Sequence, residues 1–122
     1  MLKENHDLQG ALQEYMSLLD REEYFDAHEV MEEAWHPLRK SKDPLRNLAK
    51  GLINGAIAFE HIKRDRHNAA ALACRVIASF DRHKHLSTDQ IKYAALFKQS
   101  SQMIENLKSK HSEVFNVLVI GK

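Results

Sequence analysis

Apolar residues recur at intervals of three and four through most of the chain, which is the spacing of one face of an α-helix. The pattern predicts five helices joined by short polar turns. Their predicted bounds are about 7–20, 24–37, 44–64, 69–82 and 88–107. Because short connections favour antiparallel neighbours, we expect an all-α fold. It would be a compact bundle of about five helices, mostly antiparallel, in a single domain over residues 1–122.

Start and stop signals set several of these bounds. Asp43 followed by Pro44 predicts an N-cap and a first helical residue, since proline lacks the N–H that would stay unpaired there. Ser87 and Gln90 have the spacing of a capping box, which predicts the start of the fifth helix. Pro37 predicts the end of the second helix, because proline disfavours helical backbone at the residue before it.

The third helix is apolar around so much of its circumference that we expect it at the centre of the bundle. Gly51 and Gly55 lie on it and are expected to let neighbouring helices approach closely. The tail 114–120 is apolar and β-branched, and its pattern leaves a helix, a strand and a segment that docks on a partner all open. A homodimer formed through this tail is one expectation.

Composition and charge exclude several classes of protein. The 122 residues include 18 Lys and Arg against 17 Asp and Glu, so the net charge of +1 does not favour nucleic acid or an anionic membrane as a partner. No apolar run approaches the roughly 18 residues that span a bilayer, and from the first residues we expect no secretory signal. The one cysteine, Cys74, cannot form an intrachain disulfide. We therefore expect a cytoplasmic protein.

A histidine, several carboxylates and the one tryptophan of the chain lie together in the second helix. His28, Glu32 and Trp35 are at positions i, i+4 and i+7, which places them on one side of that helix at the edge of its apolar face. Asn54 and His61 form a polar line on the third helix. The candidate site therefore comprises His28, Glu29, Glu32, Trp35, Asn54 and His61.

Three stretches of the chain resemble a known family. They are Tyr24-Phe25-x-Ala27-His28-Glu29-x-x-Glu32-x-x-Trp35, then Gly51-Leu52-Ile53-Asn54, and, after His61, Asn68-Ala69-Ala70. Over about residues 18–80 the chain resembles the small helical proteins called domain of unknown function 309. The resemblance implies an all-helical bundle and points to the motif residues His28, Glu29, Glu32 and Trp35, but it supplies no activity.

Two kinds of function remain open. The first is a binding or scaffold module, in which His28 and Glu32 form a hydrogen-bonded pair. That pair would be oriented by Asn54 or His61 and covered by Trp35, and it would either fix the helix crossing or contact a small molecule or a protein.

The second is a metal-dependent hydrolase-like enzyme. In it His28, Glu32 and His61 would hold a divalent transition metal such as zinc, iron or manganese. Glu29 would be the general base. A metal cofactor and an enzymatic activity are therefore alternatives that the sequence leaves open.

Basic residues form two further clusters near the C-terminal ends of helices. Cations there complement the helix dipole, and antiparallel helices would place the clusters at opposite ends of the bundle. We therefore expect solvated helix ends rather than a continuous phosphate-binding face. The clusters are His61, Lys63, Arg64, Arg66 and His67, and then Arg82, His83, Lys84 and His85.

Overall fold

The computed structural model describes residues 7–115, which form helices and turns without a β-strand. The helices are α1 (Leu8–Asp20), α2 (Tyr24–Lys40), α3 (Arg46–Arg64), α4 (Ala69–His83), α5 (Ala94–Lys110) and the one-turn α6 (Ser112–Phe115), with a 3-10 turn at Lys84–Leu86. The predicted all-α bundle with about five long helices is confirmed. Of the predicted tail 114–120, residues 116–120 lie outside the described part of the chain. Within the described part of the chain, no helix is long and apolar enough to cross a membrane.

Helix α3 lies at the centre of the bundle, as predicted, because it packs against α2, α4 and α5. Helix α1 packs against α2 and α5 and completes the core. Tyr15 of α1 is fully buried and donates its hydroxyl hydrogen to the carbonyl oxygen of Leu52 on α3, at 2.6 Å. Burial raises the pKa of the Tyr15 hydroxyl, because a tyrosinate in this position would lose its hydration.

The two glycines of α3 allow the close packing that was expected of them, and they do so in different ways. A Cβ on Gly51 would lie 3.1 Å from the Cα of Phe80, so the backbone of α4 packs directly on this residue. A Cβ on Gly55 would instead lie 3.0 Å from Cδ1 of Ile104, the tip of a side chain on α5. The first contact is with backbone and the second is with the end of a side chain.

The prediction that the second helix ends near Pro37 was wrong, because α2 continues through this proline to Lys40. Pro37 removes one backbone hydrogen bond, but Leu38 packs against the core beyond it. The helix then closes with a Schellman motif, in which Asp43 N–H donates to Leu38 O at 2.9 Å. Lys42 N–H donates to Arg39 O at 3.2 Å, with Lys42 in the left-handed region at φ 59°.

The start of α3 follows the predicted signal. Asp43 Oδ1 accepts the backbone N–H of Leu45 at 2.8 Å, and the Asp43 carbonyl oxygen accepts the N–H of Arg46 at 3.1 Å. Asp43 therefore satisfies N–H groups at the start of this segment, although regular α-helix begins only at Arg46.

The start of α5 does not follow its predicted signal. The capping box at Ser87 and Gln90 is wrong, since α5 begins at Ala94. Thr88 Oγ1 accepts the N–H of Gln90 at 3.4 Å, and the chain turns until Tyr93, whose φ is 56°. The packing of Tyr93 against the core outweighs a local cap, which contributes only about 1 kcal/mol.

Candidate functional site

His28 is held in one orientation by its own helix. Its Nδ1–H donates to the carbonyl oxygen of Phe25 at 2.7 Å, because a carbonyl oxygen can only accept. The aromatic ring of Phe25 and the imidazole of His28 also meet edge to face, with centroids 5.0 Å apart. In the neutral imidazole the proton is therefore on Nδ1, and Nε2 remains available as an acceptor or a metal ligand.

Glu32 lies one turn beyond His28 and comes near its second ring nitrogen. His28 Nε2 and Glu32 Oε1 are 3.5 Å apart, which exceeds the roughly 3.2 Å of an ordinary N–H···O hydrogen bond. The Glu32 side chain is 40% exposed and that of His28 is 16% exposed. The two groups are thus close neighbours at the edge of the core, without a tight hydrogen bond between them.

A cleft of about 380 Å³ opens beside His28, between α2, the C-terminal half of α3 and the start of α4. Part of its lining is apolar, and the remainder carries three imidazoles, two guanidinium groups and one carboxylate. The lining residues are Phe25, His28, Ile57, Glu60, His61, Arg64, Arg66, His67, Ala69 and Leu72. The cleft therefore combines an apolar surface with mainly basic polar groups.

Arg64 makes two contacts at this cleft. Its Nε donates to Glu60 Oε2 at 2.5 Å, one turn earlier on α3. Its guanidinium carbon lies 5.8 Å from the centre of the Phe25 ring. Arg66 and His67 follow in the α3–α4 turn, where both are exposed. Within residues 7–115 neither of them has an ion-pair partner.

Only two of the predicted site residues, His28 and His61, line this cleft. Trp35 lies about 10 Å farther along α2, by the helical rise. There Lys50 Nζ is 4.3 Å, and the Arg39 guanidinium carbon 5.2 Å, from the centre of its ring. Trp35 therefore contributes to the contact between α2 and α3 and does not cover His28.

Glu29 and Asn54 also lie apart from the cleft. Glu29 lines a shallow acidic groove between α1 and α2, with Glu14, Asp26 and Glu33. Asn54 is half-buried on α3, and in the described part of the chain its side chain makes no hydrogen bond. The orientation of His28 expected from Asn54 or His61 comes instead from the Phe25 carbonyl.

The predicted metal ligands are only partly brought together. Among residues 7–115, no group of three or more His, Cys, Asp or Glu side chains is placed to hold a metal ion. His28 and Glu32 are close enough to share one, since 3.5 Å suits two ligands that each lie about 2.0–2.2 Å from zinc. His61 lies on the same cleft but is not grouped with them. The set His28, Glu32 and His61 therefore stays a prediction.

The residues that the sequence did not assign to the site are the apolar and basic ones around His28. Arg64, Arg66 and His67 were expected only at a solvated helix end. A usable signal was the antiparallel pairing of consecutive helices, which places the start of one beside the end of the next. Phe25 and His28 near the start of α2 thus lie beside residues 60–64 at the end of α3.

The second basic cluster lies elsewhere and has partners of its own. Lys84 Nζ donates to Glu105 Oε2 at 2.6 Å and lies 3.4 Å from Asp81 Oδ1. The hydrogen bond to Glu105 is the main reason that the pKa of Lys84 is raised. Burial, and then the nearby charges of Arg82 and His85, lower the pKa of His83. These contacts connect α4 and the 3-10 turn to α5.

A family model described as "Domain of unknown function (DUF309)" matches residues 12–72. The matched interval runs from α1 into the first turn of α4. It contains every residue that lines the cleft, from Phe25 to Leu72. No curated protein and no solved structure matched the chain.

Proposed function

Given that the chain belongs to this family of unknown function, we propose that it is a binding module whose ligand, a small organic molecule, occupies the cleft between α2, α3 and α4. The observation that carries the proposal is the joint presence of apolar surface and fixed polar groups in one cleft. Its volume of about 380 Å³ falls in the range of about 300–1,000 Å³ found for small-molecule sites.

Pre-organisation of the polar groups supports this function. His28 is held by the Phe25 carbonyl, and Arg64 pairs with Glu60 one turn earlier on α3. A ligand that contacts His28 does not have to order its ring, so less conformational entropy is lost on binding. A scaffold role alone would not require imidazole and guanidinium groups to border an open cleft.

Exposure of Phe25 at the same cleft is a further support. Its side chain is 45% exposed, and it is the large hydrophobic residue that stands out as exposed in the described part of the chain. Its ring meets the His28 imidazole edge to face, and the Arg64 guanidinium lies over it. A bound molecule would gain apolar contact with a ring that is already fixed in place.

The test is a fragment screen by NMR on the isotopically labelled protein, with an Ala69→Leu variant that fills the cleft. Ala70→Leu is the matched control, because Ala70 is exposed on the next position of α4 and does not line the cleft. We expect bound fragments to shift the resonances of His28, His61 and Leu72, and Ala69→Leu alone to abolish the shifts. Fragments that shift residues scattered over the surface, or that bind Ala69→Leu unchanged, would contradict a binding cleft.

A metal-dependent hydrolase-like activity is the second candidate, and one observation favours it. Metal-binding histidines commonly donate their other ring N–H to a carbonyl or a carboxylate. His28 does this to Phe25, and its Nε2 is 3.5 Å from Glu32 Oε1. Glu29, the proposed general base, lies on the side of α2 that faces α1, so this candidate would require a base from another position.

A cytoplasmic location and a homodimer formed through the tail 114–120 also remain proposals. Sedimentation of the full chain and of a chain that ends at residue 113 tests the dimer. The shorter chain should have half the mass of the full one if the tail holds the dimer together, and equal monomer masses would contradict it.

A further inference from the structure

We infer that the ligand of this cleft is an amphipathic monoanion, with a carboxylate attached to a flat apolar body. The inference rests on the proposed binding function and names the chemical class of the ligand. It is carried by the placement of the charged groups and of the Phe25 ring around the cleft.

The fixed charges of the lining favour an anion with one negative charge. Arg64 is balanced by Glu60, which accepts its Nε–H at 2.5 Å. Arg66 has no ion-pair partner within the described residues, so the lining carries a surplus of one positive charge when its imidazoles are neutral. Two further carboxylates do not line the cleft: that of Glu32, which lies 3.5 Å from Nε2 of His28, and that of Asp65, which follows Arg64 in sequence. One carboxylate on the ligand would neutralise this surplus.

The donors at the cleft have the chemistry that binds a carboxylate. A guanidinium group presents parallel N–H groups that match the two oxygens of a carboxylate. Only Nε of Arg64 is engaged by Glu60, so its terminal nitrogens lie outside that pair. Arg66 lies two residues farther on, in the α3–α4 turn. Both arginines line the cleft.

The apolar part of the lining lies on the same cleft as these donors. Phe25 presents an exposed ring, and Ile57 and Leu72 contribute aliphatic surface. Aromatic rings pack well against other flat groups in offset or edge-on arrangements. A ligand with a flat body could pack on Phe25 while its carboxylate contacts the arginines.

Isothermal titration of the full chain with benzoate and its neutral isostere benzamide tests the charge requirement. We expect benzoate to bind at least about tenfold more tightly, the difference expected from one charge-assisted hydrogen bond. Arg66→Gln should weaken benzoate about tenfold and leave benzamide unchanged. Arg75→Gln is the control, since Arg75 is exposed on α4 outside the cleft and its loss should change neither affinity.

The outcomes separate the ligand class from the binding function itself. Equal affinities for benzoate and benzamide would overturn the anion class, while cleft binding of both would leave the binding module standing. Tighter binding of phenyl phosphate than of benzoate would overturn the monoanion. If benzoate does not bind, the carboxylate inference falls, and the fragment screen with Ala69→Leu then decides the binding function independently.

Discussion

His28 donates its Nδ1–H to the carbonyl oxygen of Phe25, three residues earlier on α2, at 2.7 Å. The contact lies entirely within one helix, so its geometry does not depend on the groups across the cleft. It leaves Nε2 as the ring nitrogen that can meet a ligand or a metal ion. The most informative changes to this site are therefore those that remove Nε2 and its neighbour Glu32.

Replacement of both groups, as His28→Ala Glu32→Ala, should separate the two candidate functions. We expect the variant to stay folded, because both groups lie at the edge of the core. It should bind cleft ligands more weakly, because His28 lines the cleft. Its metal content, measured by elemental analysis after purification without chelator, should equal that of the wild type. Near-stoichiometric metal in the wild type and none in the variant would contradict this expectation and favour the hydrolase-like enzyme.

Gly51→Ala should destabilise the protein more than Gly55→Ala. A Cβ at position 51 meets the backbone of Phe80, which cannot move without shifting α4, so we expect a loss of about 1–3 kcal/mol. At position 55 the added methyl meets side-chain atoms of Ile104, of which Cδ1 is nearest, and the higher helix propensity of alanine, about 1 kcal/mol, offsets that contact. Urea unfolding measures the free energy of unfolding of both variants. Equal losses of stability would contradict the prediction and mean that both contacts relax to the same extent.

Tyr15→Phe should cost about 1 kcal/mol at neutral pH, the net value of one hydrogen bond, here to the Leu52 carbonyl. The variant should then become the more stable protein in alkali. Burial raises the pKa of Tyr15 in the folded state above about 10, the pKa of an unfolded tyrosine. Below about pH 10 the wild type therefore keeps the full stability that the protonated Tyr15 contributes. Above that pH it loses this stability progressively, because the unfolded chain ionises more easily.

Unfolding of wild type and Tyr15→Phe by urea at a series of pH values measures this crossover. The wild-type stability should fall relative to the variant by up to about 1.4 kcal/mol per pH unit in the alkaline range. A constant difference between the two proteins across that range would show that Tyr15 ionises in the folded state as easily as in the unfolded one.

The pair formed by Lys84 and Glu105 should couple by about 0.2–1 kcal/mol in a double-mutant cycle with Lys84→Met and Glu105→Gln. The small value follows from exposure, since 40% of the Lys84 side chain is accessible and water screens the pair. Repeating the cycle in molar salt should reduce the coupling further. A coupling that salt does not change would contradict an electrostatic origin.

Local signals in the sequence determined which segments are helical. The apolar spacing of three and four residues depends only on helical geometry, so α3 could be placed at the centre and Asp43 at its start from sequence alone. The same local signals failed at Pro37 and Ser87. In both places a local preference of a few kcal/mol or less was outweighed by packing of Leu38 or Tyr93 against the core.

Only the tertiary structure decided which residues surround His28. The sequence placed His28, Glu32 and Trp35 on one side of a helix, but it could not give the register at which α2 meets α3. That register depends on how the side chains of both helices interlock along their whole length, including the backbone contact of α4 at Gly51. It put Arg64 in the same cleft as His28 and left Trp35 beside Lys50.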